Sequence, residues 1–153
     1  MKTYFSLILM LLCTVLYTGC KETRTTADAT VLMQVDRDFS LYSVKYGMKK
    51  AFLFYADTAV ALLRPNHYPI EGKNNLRETQ KTVNDSLFTL KWEPLHAAIS
   101  ASADLGFTYG VYELIPRDTS NGNKIEKGSY ITVWKRQADG SWKFAFDAGN
   151  RGL

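Results

Sequence analysis

Tyr130, Thr132 and Trp134 fall at every second residue of a strand-like segment, 128–136, so a two-residue period turns all three side chains to one face. The last strand-like segment, 142–148, carries a single acid, Asp147. Tyr109 lies on another strand-like segment, while Arg64 and His67 flank a proline-containing turn. Around one cavity these side chains would supply an aromatic lining, one carboxylate able to move a proton, and one or two basic groups. Each also has a plainer reading. Tyr130 and Trp134 could be core packing, Asp147 a buried acid paired with an arginine or a backbone N–H, and His67 an exposed loop residue. Two histidines, His67 and His96, with no carboxylates at ligand spacing, make no metal site. No nucleophile elbow, Ser-His-Asp spacing or phosphate-binding glycine loop is present, and no cofactor is expected.

Cys20 has chemistry of another kind. Met1-Lys2 opens the chain with a positive charge, and an apolar run, 4–16, follows that is too short for the roughly 20 residues of a membrane span. Leu16-Tyr17-Thr18-Gly19-Cys20 then places small residues beside a thiol. This resembles the bacterial lipobox, except that Leu16 stands one place further from Cys20 than usual, with Tyr17 in its slot. The resemblance implies cleavage before Cys20, acylation of its thiol and a lipid-anchored, extracytoplasmic protein of the bacterial cell envelope, whose partner is the membrane. Each buried CH₂ contributes about 0.8 kcal/mol, so two or more chains hold stably. An ordinary secretory signal and an uncleaved anchor are the alternatives.

Residues 1–19 thus read as a leader, 20–27 as a polar tether and 28–150 as one domain. The chain has two cysteines, and Cys13 falls in the leader, so the domain has no internal disulfide to rely on. Formal charge falls from +4 to +3 when Lys2 is removed, and the basic residues are thinly spread. Lys45, Lys49 and Lys50 could face a phosphate or a lipid headgroup, or simply complement a helix end. No dense basic stripe with interleaved aromatics appears, which argues against nucleic acid.

The elements that must position these groups follow from periodicity. Leu32, Val35, Phe39, Tyr42 and Tyr46 recur at three- and four-residue spacing, predicting a helix with Asp28 as cap and Gly47 as stop. A short helix over 48–55, a strand over 58–63 closed by Arg64-Pro65, a loop over 66–71 and a surface helix over 73–84 follow. Strands are then expected over 86–92, 97–101, 105–115, 128–136 and 142–148, with a kink at Trp92-Glu93-Pro94. Ala138-Asp139-Gly140-Ser141 signals a tight hairpin and Asn121-Gly122 a longer one. Helices first and antiparallel strands afterwards predict an α+β domain, with helices packed on a curved antiparallel sheet.

This order resembles the nuclear transport factor 2-like superfamily, the cone of ketosteroid isomerase and SnoaL-type cyclases. The residues that carry the likeness are Ala51-Phe52-Leu53-Phe54-Tyr55-Ala56-Asp57, Arg64-Pro65, Gly72, Asp104 through Tyr112, Gly128-Ser129-Tyr130 through Trp134, Asp139-Gly140-Ser141-Trp142-Lys143 and Asp147-Ala148-Gly149-Asn150. The resemblance spans 28–150 and lies nearest the uncharacterised SnoaL-like branch. It implies that the isomerase tyrosine, base and acid positions are held by Phe39, Arg64 and Thr132, which fills none of the three roles. With Thr132 turned into the cone, Tyr130, Trp134 and Asp147 turn with it, Tyr109 is a further candidate, and Arg64 and His67 sit near the rim. Two functions stay open: a module that binds a small apolar ligand or a partner without catalysis, and an isomerase, cyclase or dehydratase with Asp147 as general base. A homodimer is expected by analogy with the fold.

Overall fold

The computed structural model describes residues 28–118, 120 and 124–152. Cys20, the leader, the tether and the Asn121-Gly122 turn lie outside the described residues. Among those described, no helix is long and apolar enough to cross a membrane.

Helix α1 (Thr30–Tyr46) ends where Gly47, at φ 92°, takes a conformation that favours glycine, its N–H bonding the Ser43 carbonyl at 2.9 Å. Asp28 acts one place before the formal cap, Ala29, its carboxylate accepting the Thr30 N–H at 2.9 Å. Helix α2 (Met48–Tyr55) runs straight into β1 (Ala56–Leu63). The expected loop over 66–71 contains a two-residue strand, β2 (Ile70–Glu71). The surface helix is shorter than its pattern, with α3 (Lys73–Thr79) tightening into a 3₁₀ turn (Gln80–Thr82).

Four long strands complete the domain: β3 (Phe88–Ile99), β4 (Leu105–Pro116), β5 (Glu126–Arg136) and β6 (Trp142–Arg151). They form one sheet in the order β2-β1-β6-β5-β4-β3. The sheet is mixed, because β1 pairs with β6 in parallel. A parallel neighbour needs a long crossover, which the intervening strands and helix α3 supply.

The two strands expected over 86–92 and 97–101 are one strand. Pro94 sits opposite Gly110 and His96 opposite Tyr109, so Leu95 is the extra residue of a bulge rather than a break. β3 is also the sheet edge, where unpaired backbone groups need cover. Helix α1 provides it: Ser40 Oγ donates to the Trp92 carbonyl and accepts the Trp92 N–H, both at 2.8 Å, and Ser43 Oγ donates to the Leu90 carbonyl at 2.8 Å.

Phe39 anchors the core. Its ring lies 4.6 Å from Trp92, 5.0 Å from Phe52 and 5.4 Å from Phe144, in edge and stacked geometries that favour aromatic pairs. Leu32, one face up on α1, presses on the backbone at Gly106, where a Cβ would collide with it. Helices across the concave side of a curved sheet therefore make a cone, filled with aromatic side chains at one end and open at the other.

Candidate functional site

The open end holds a cavity of about 520 Å³ where β1 and β6 finish and β3 and β5 begin. Its floor is apolar, with Phe39, Phe52, Leu90 and Trp92, and its polar groups come from the sheet and from the turn after β1.

Asp147 reaches the cavity through a bulge. Phe144 faces inward and pairs with Trp134, yet the next pair is Phe146 with Val133, which leaves Ala145 as an extra residue. Without that insertion a strict alternation from Phe144 would turn Phe146 inward and Asp147 out. The bulge reverses the phase and sets Asp147 directly opposite Thr132. There Asp147 Oδ2 accepts the Thr132 hydroxyl at 2.8 Å and Oδ1 accepts Arg64 Nη2 at 2.6 Å. Arg64 is held in turn with its guanidinium 5.5 Å from the Phe52 ring and Nη1 on the Leu63 carbonyl at 3.0 Å.

Of the residues singled out from sequence, Arg64, Tyr130, Thr132 and Asp147 come together on this wall. Three others do not. Trp134 shares their face but lies deeper, fully buried, its Nε1–H donating to Thr108 Oγ1 at 2.9 Å. Tyr109 is 45% exposed, because β4 turns its even-numbered residues inward and Tyr109 falls on the outer face beside His96. His67 is exposed in the turn after β1, while its neighbours Pro65 and Asn66 line the cavity. Phe39, Arg64 and Thr132, the three positions compared with the isomerases, all border the cavity.

Sequence reading missed Asp36. It sits on the inward face of α1 at 0% exposure, just behind the cavity wall. Trp92 Nε1–H donates to its Oδ1 and the Tyr130 hydroxyl to its Oδ2, both at 2.7 Å. Burial pushes its carboxyl up to about 6 against the opposing pull of the Thr108, Tyr130 and Trp92 donors, and the same burial, with Asp36 beside it, pushes the Tyr130 phenol far up. The available signal was positional: Asp36 and Ser40 stand four and eight residues after Leu32, on the stripe that has to be buried. Glu126 and Tyr112 were also unforeseen. The Tyr112 hydroxyl donates to Glu126 Oε1 at 2.9 Å and Arg151 pairs with Oε2, which holds the Glu126 carboxyl below its usual range. Gly128 permits this, since any Cβ there would strike the Tyr112 ring.

By sequence the chain matches no protein-family model and no curated protein. By structure it is similar to a ketosteroid isomerase-like protein from Erwinia carotovora atroseptica, at 15% identity and TM-score 0.62 over 87% of this chain and 98% of that one. It is also similar to a hexachlorocyclohexane dehydrochlorinase from Novosphingobium barchaimii, at 15% identity and TM-score 0.59 over 82% and 88%. A nuclear transport factor 2-like superfamily protein from Salmonella enterica serovar Typhimurium is similar over 82% and 94%, at 14% identity and TM-score 0.57. Likeness at such identities fixes architecture and leaves chemistry to the site. The chain has the α+β cone fold of the nuclear transport factor 2-like superfamily.

Proposed function

We propose that this chain is a ligand-binding module of the bacterial cell envelope, tethered by lipid on Cys20 and taking a small, mostly apolar molecule into its cone. The observation that carries the reading is the cavity itself. Its volume falls within the roughly 300–1,000 Å³ of small-molecule sites, and its one sequence-predicted acid is engaged on both oxygens, by Arg64 and Thr132, before any ligand arrives. The test is native mass spectrometry of protein purified from its own host. A retained molecule in the size range of the cavity is expected, and protein that emerges empty counts against the reading. For the anchor, Cys20→Ala should move the protein out of the membrane fraction; if it stays there, lipid on Cys20 is not what holds it.

A second reading has one observation in its favour, the bulge that aims Asp147 into the cavity. It is an isomerase, cyclase or dehydratase with Asp147 as general base. Such an enzyme should exchange solvent deuterium into the carbon beside the carbonyl of bound 1-tetralone, and Asp147→Asn should stop it. Absence of exchange in the wild-type protein leaves binding alone. On the outer face of the sheet, Leu95, Tyr109, Val111 and Ile131 are exposed, which supports a homodimer paired through that face. Ile131→Glu should then shift sedimentation from dimer to monomer.

A further inference from the structure

The hydrogen-bond donors of the cavity wall have a common direction. Tyr130 donates to Asp36, Thr132 to Asp147, Tyr112 to Glu126, and the Trp92 indole to Asp36. Each of these groups has a single proton, and each commits it to a carboxylate. What the three hydroxyls can still offer is lone pairs, and the carboxylates offer more of the same. The lining groups with N–H to spare are Arg64, Asn66 and Arg151, whose side chains are partly or largely exposed.

From this we infer that the cavity selects an apolar molecule that brings its own proton, an alcohol, phenol or amine, over the corresponding ketone. The inference rests on the ligand-binding reading above and names the chemical class that site takes. A hydroxyl or amine placed against Tyr130, Thr132 or Tyr112 finds an acceptor at once. A carbonyl oxygen against Tyr130 meets only lone pairs, and beside Thr132 or Tyr112 its donors are the partly exposed Arg64 and Arg151; leaving a buried polar atom unpaired is costly. An oxyanion hole has the reverse polarity, because it aims donors at a carbonyl oxygen. The polarity is also conditional. The groups facing Asp36 are Trp92 from β3, Thr108 from β4 and Tyr130 from β5, with Asp147 of β6 acting at longer range, and none of them is cationic. With a proton on Asp36, the acid can donate to the Tyr130 oxygen and release the phenol proton toward the cavity. Preference for the alcohol should therefore weaken in acid.

The test is calorimetric titration of the purified protein with matched probes on one skeleton: 1-tetralol, 1-aminotetralin and 1-tetralone, and the larger pair 9-fluorenol and 9-fluorenone. At pH 8 the alcohol or amine should bind about tenfold more tightly than its ketone, with the gap narrowing at pH 5. Tyr112→Phe, which leaves Glu126 paired with Arg151, should reduce the gap without unfolding the protein, and Tyr130→Phe should reduce it further. A ketone that binds as tightly as its alcohol and amine overturns the inference while leaving the ligand-binding reading intact. If no probe of either class binds, both fail together.

Discussion

Two buried aspartates stand on either side of the β5 residues Tyr130 and Thr132, and they are stabilised in opposite ways. Asp147, at 6% exposure, has a guanidinium at 2.6 Å and a hydroxyl at 2.8 Å. Asp36, at 0%, has an indole and a phenol at 2.7 Å each and, among the described residues, no cation bonded to it. Neutral donors soften the cost of burying a charge but do not cancel it. Hence Asp36 is the acid whose titration moves up toward neutrality, although Asp147 is the one that lines the cavity. Asp147 in the cavity wall is thereby committed to an ion pair, while Asp36 behind the wall is held by neutral donors and its carboxyl is pushed up to about 6.

Removing the cation from the Asp147 side gives the largest expected effect. Arg64→Met keeps the length of the side chain and its packing on Phe52 but leaves Asp147 without its cation, which should cost about 4 kcal/mol in urea denaturation. Arg64→Met with Asp147→Asn should recover most of that loss. If the single variant loses no more than the double, the ion pair does not hold this wall and the contrast with Asp36 disappears.

Stability against pH sharpens the comparison from the Asp36 side. Its carboxyl is raised from 3.8 to about 6, so between these values the folded protein binds the proton more tightly than the unfolded chain. Stability from this group is therefore fully present below pH 4 and is lost as pH rises through 6, a change of about 3 kcal/mol at 1.36 kcal/mol per unit. Glu113 and Glu126, held below their usual range by hydrogen bonds from Lys127 and Arg151, act in the opposite sense at lower pH. The difference between wild type and Asp36→Asn isolates the Asp36 share. Chemical denaturation from pH 4 to pH 8 should show the wild type losing ground relative to the variant, and parallel curves would mean that Asp36 is not the titrating group.

The two acids also differ in how legible they are in the sequence. Asp147 follows from its place in a strand: paired with Thr132, it points wherever Thr132 points, and the bulge at Ala145 makes that pairing correct where simple alternation would fail. Element order and helix α1 were readable for the same reason, since apolar spacing and Gly47 are local signals. Asp36 is hidden by the apolar pattern around it. Val35, Tyr42 and Tyr46 mark the flank of α1, whereas the face against the sheet is Leu32, Asp36, Phe39, Ser40 and Ser43, three of the five polar. Those polar residues serve the edge of β3 and the Tyr130 hydroxyl, contacts between segments some fifty to ninety residues apart. Spacing along a helix reports burial but not what a buried oxygen will bond, so partners that distant emerge only with the tertiary structure. Tyr109 and His67 fail for a related reason: residue type suggested chemistry, while strand phase and a turn sent the side chains elsewhere.

The smallest effect expected is also the most specific. Tyr130→Phe removes one donor from Asp36 and no packing volume beyond an oxygen. A hydrogen bond to an ionised acceptor contributes about 1.5–3 kcal/mol, and one between neutral groups about 1 kcal/mol. The cost of the variant should then be about 2 kcal/mol at pH 8, where Asp36 is charged, and about 1 kcal/mol at pH 5, where it mostly holds a proton. Thr132→Val, which takes one neutral donor from Asp147 and leaves its ion pair with Arg64 in place, should show no comparable change across that interval. Denaturation of both variants at the two pH values measures this directly. A pH-independent loss for Tyr130→Phe, or a pH-dependent one for Thr132→Val, would place the titrating acid on the wrong side of β5.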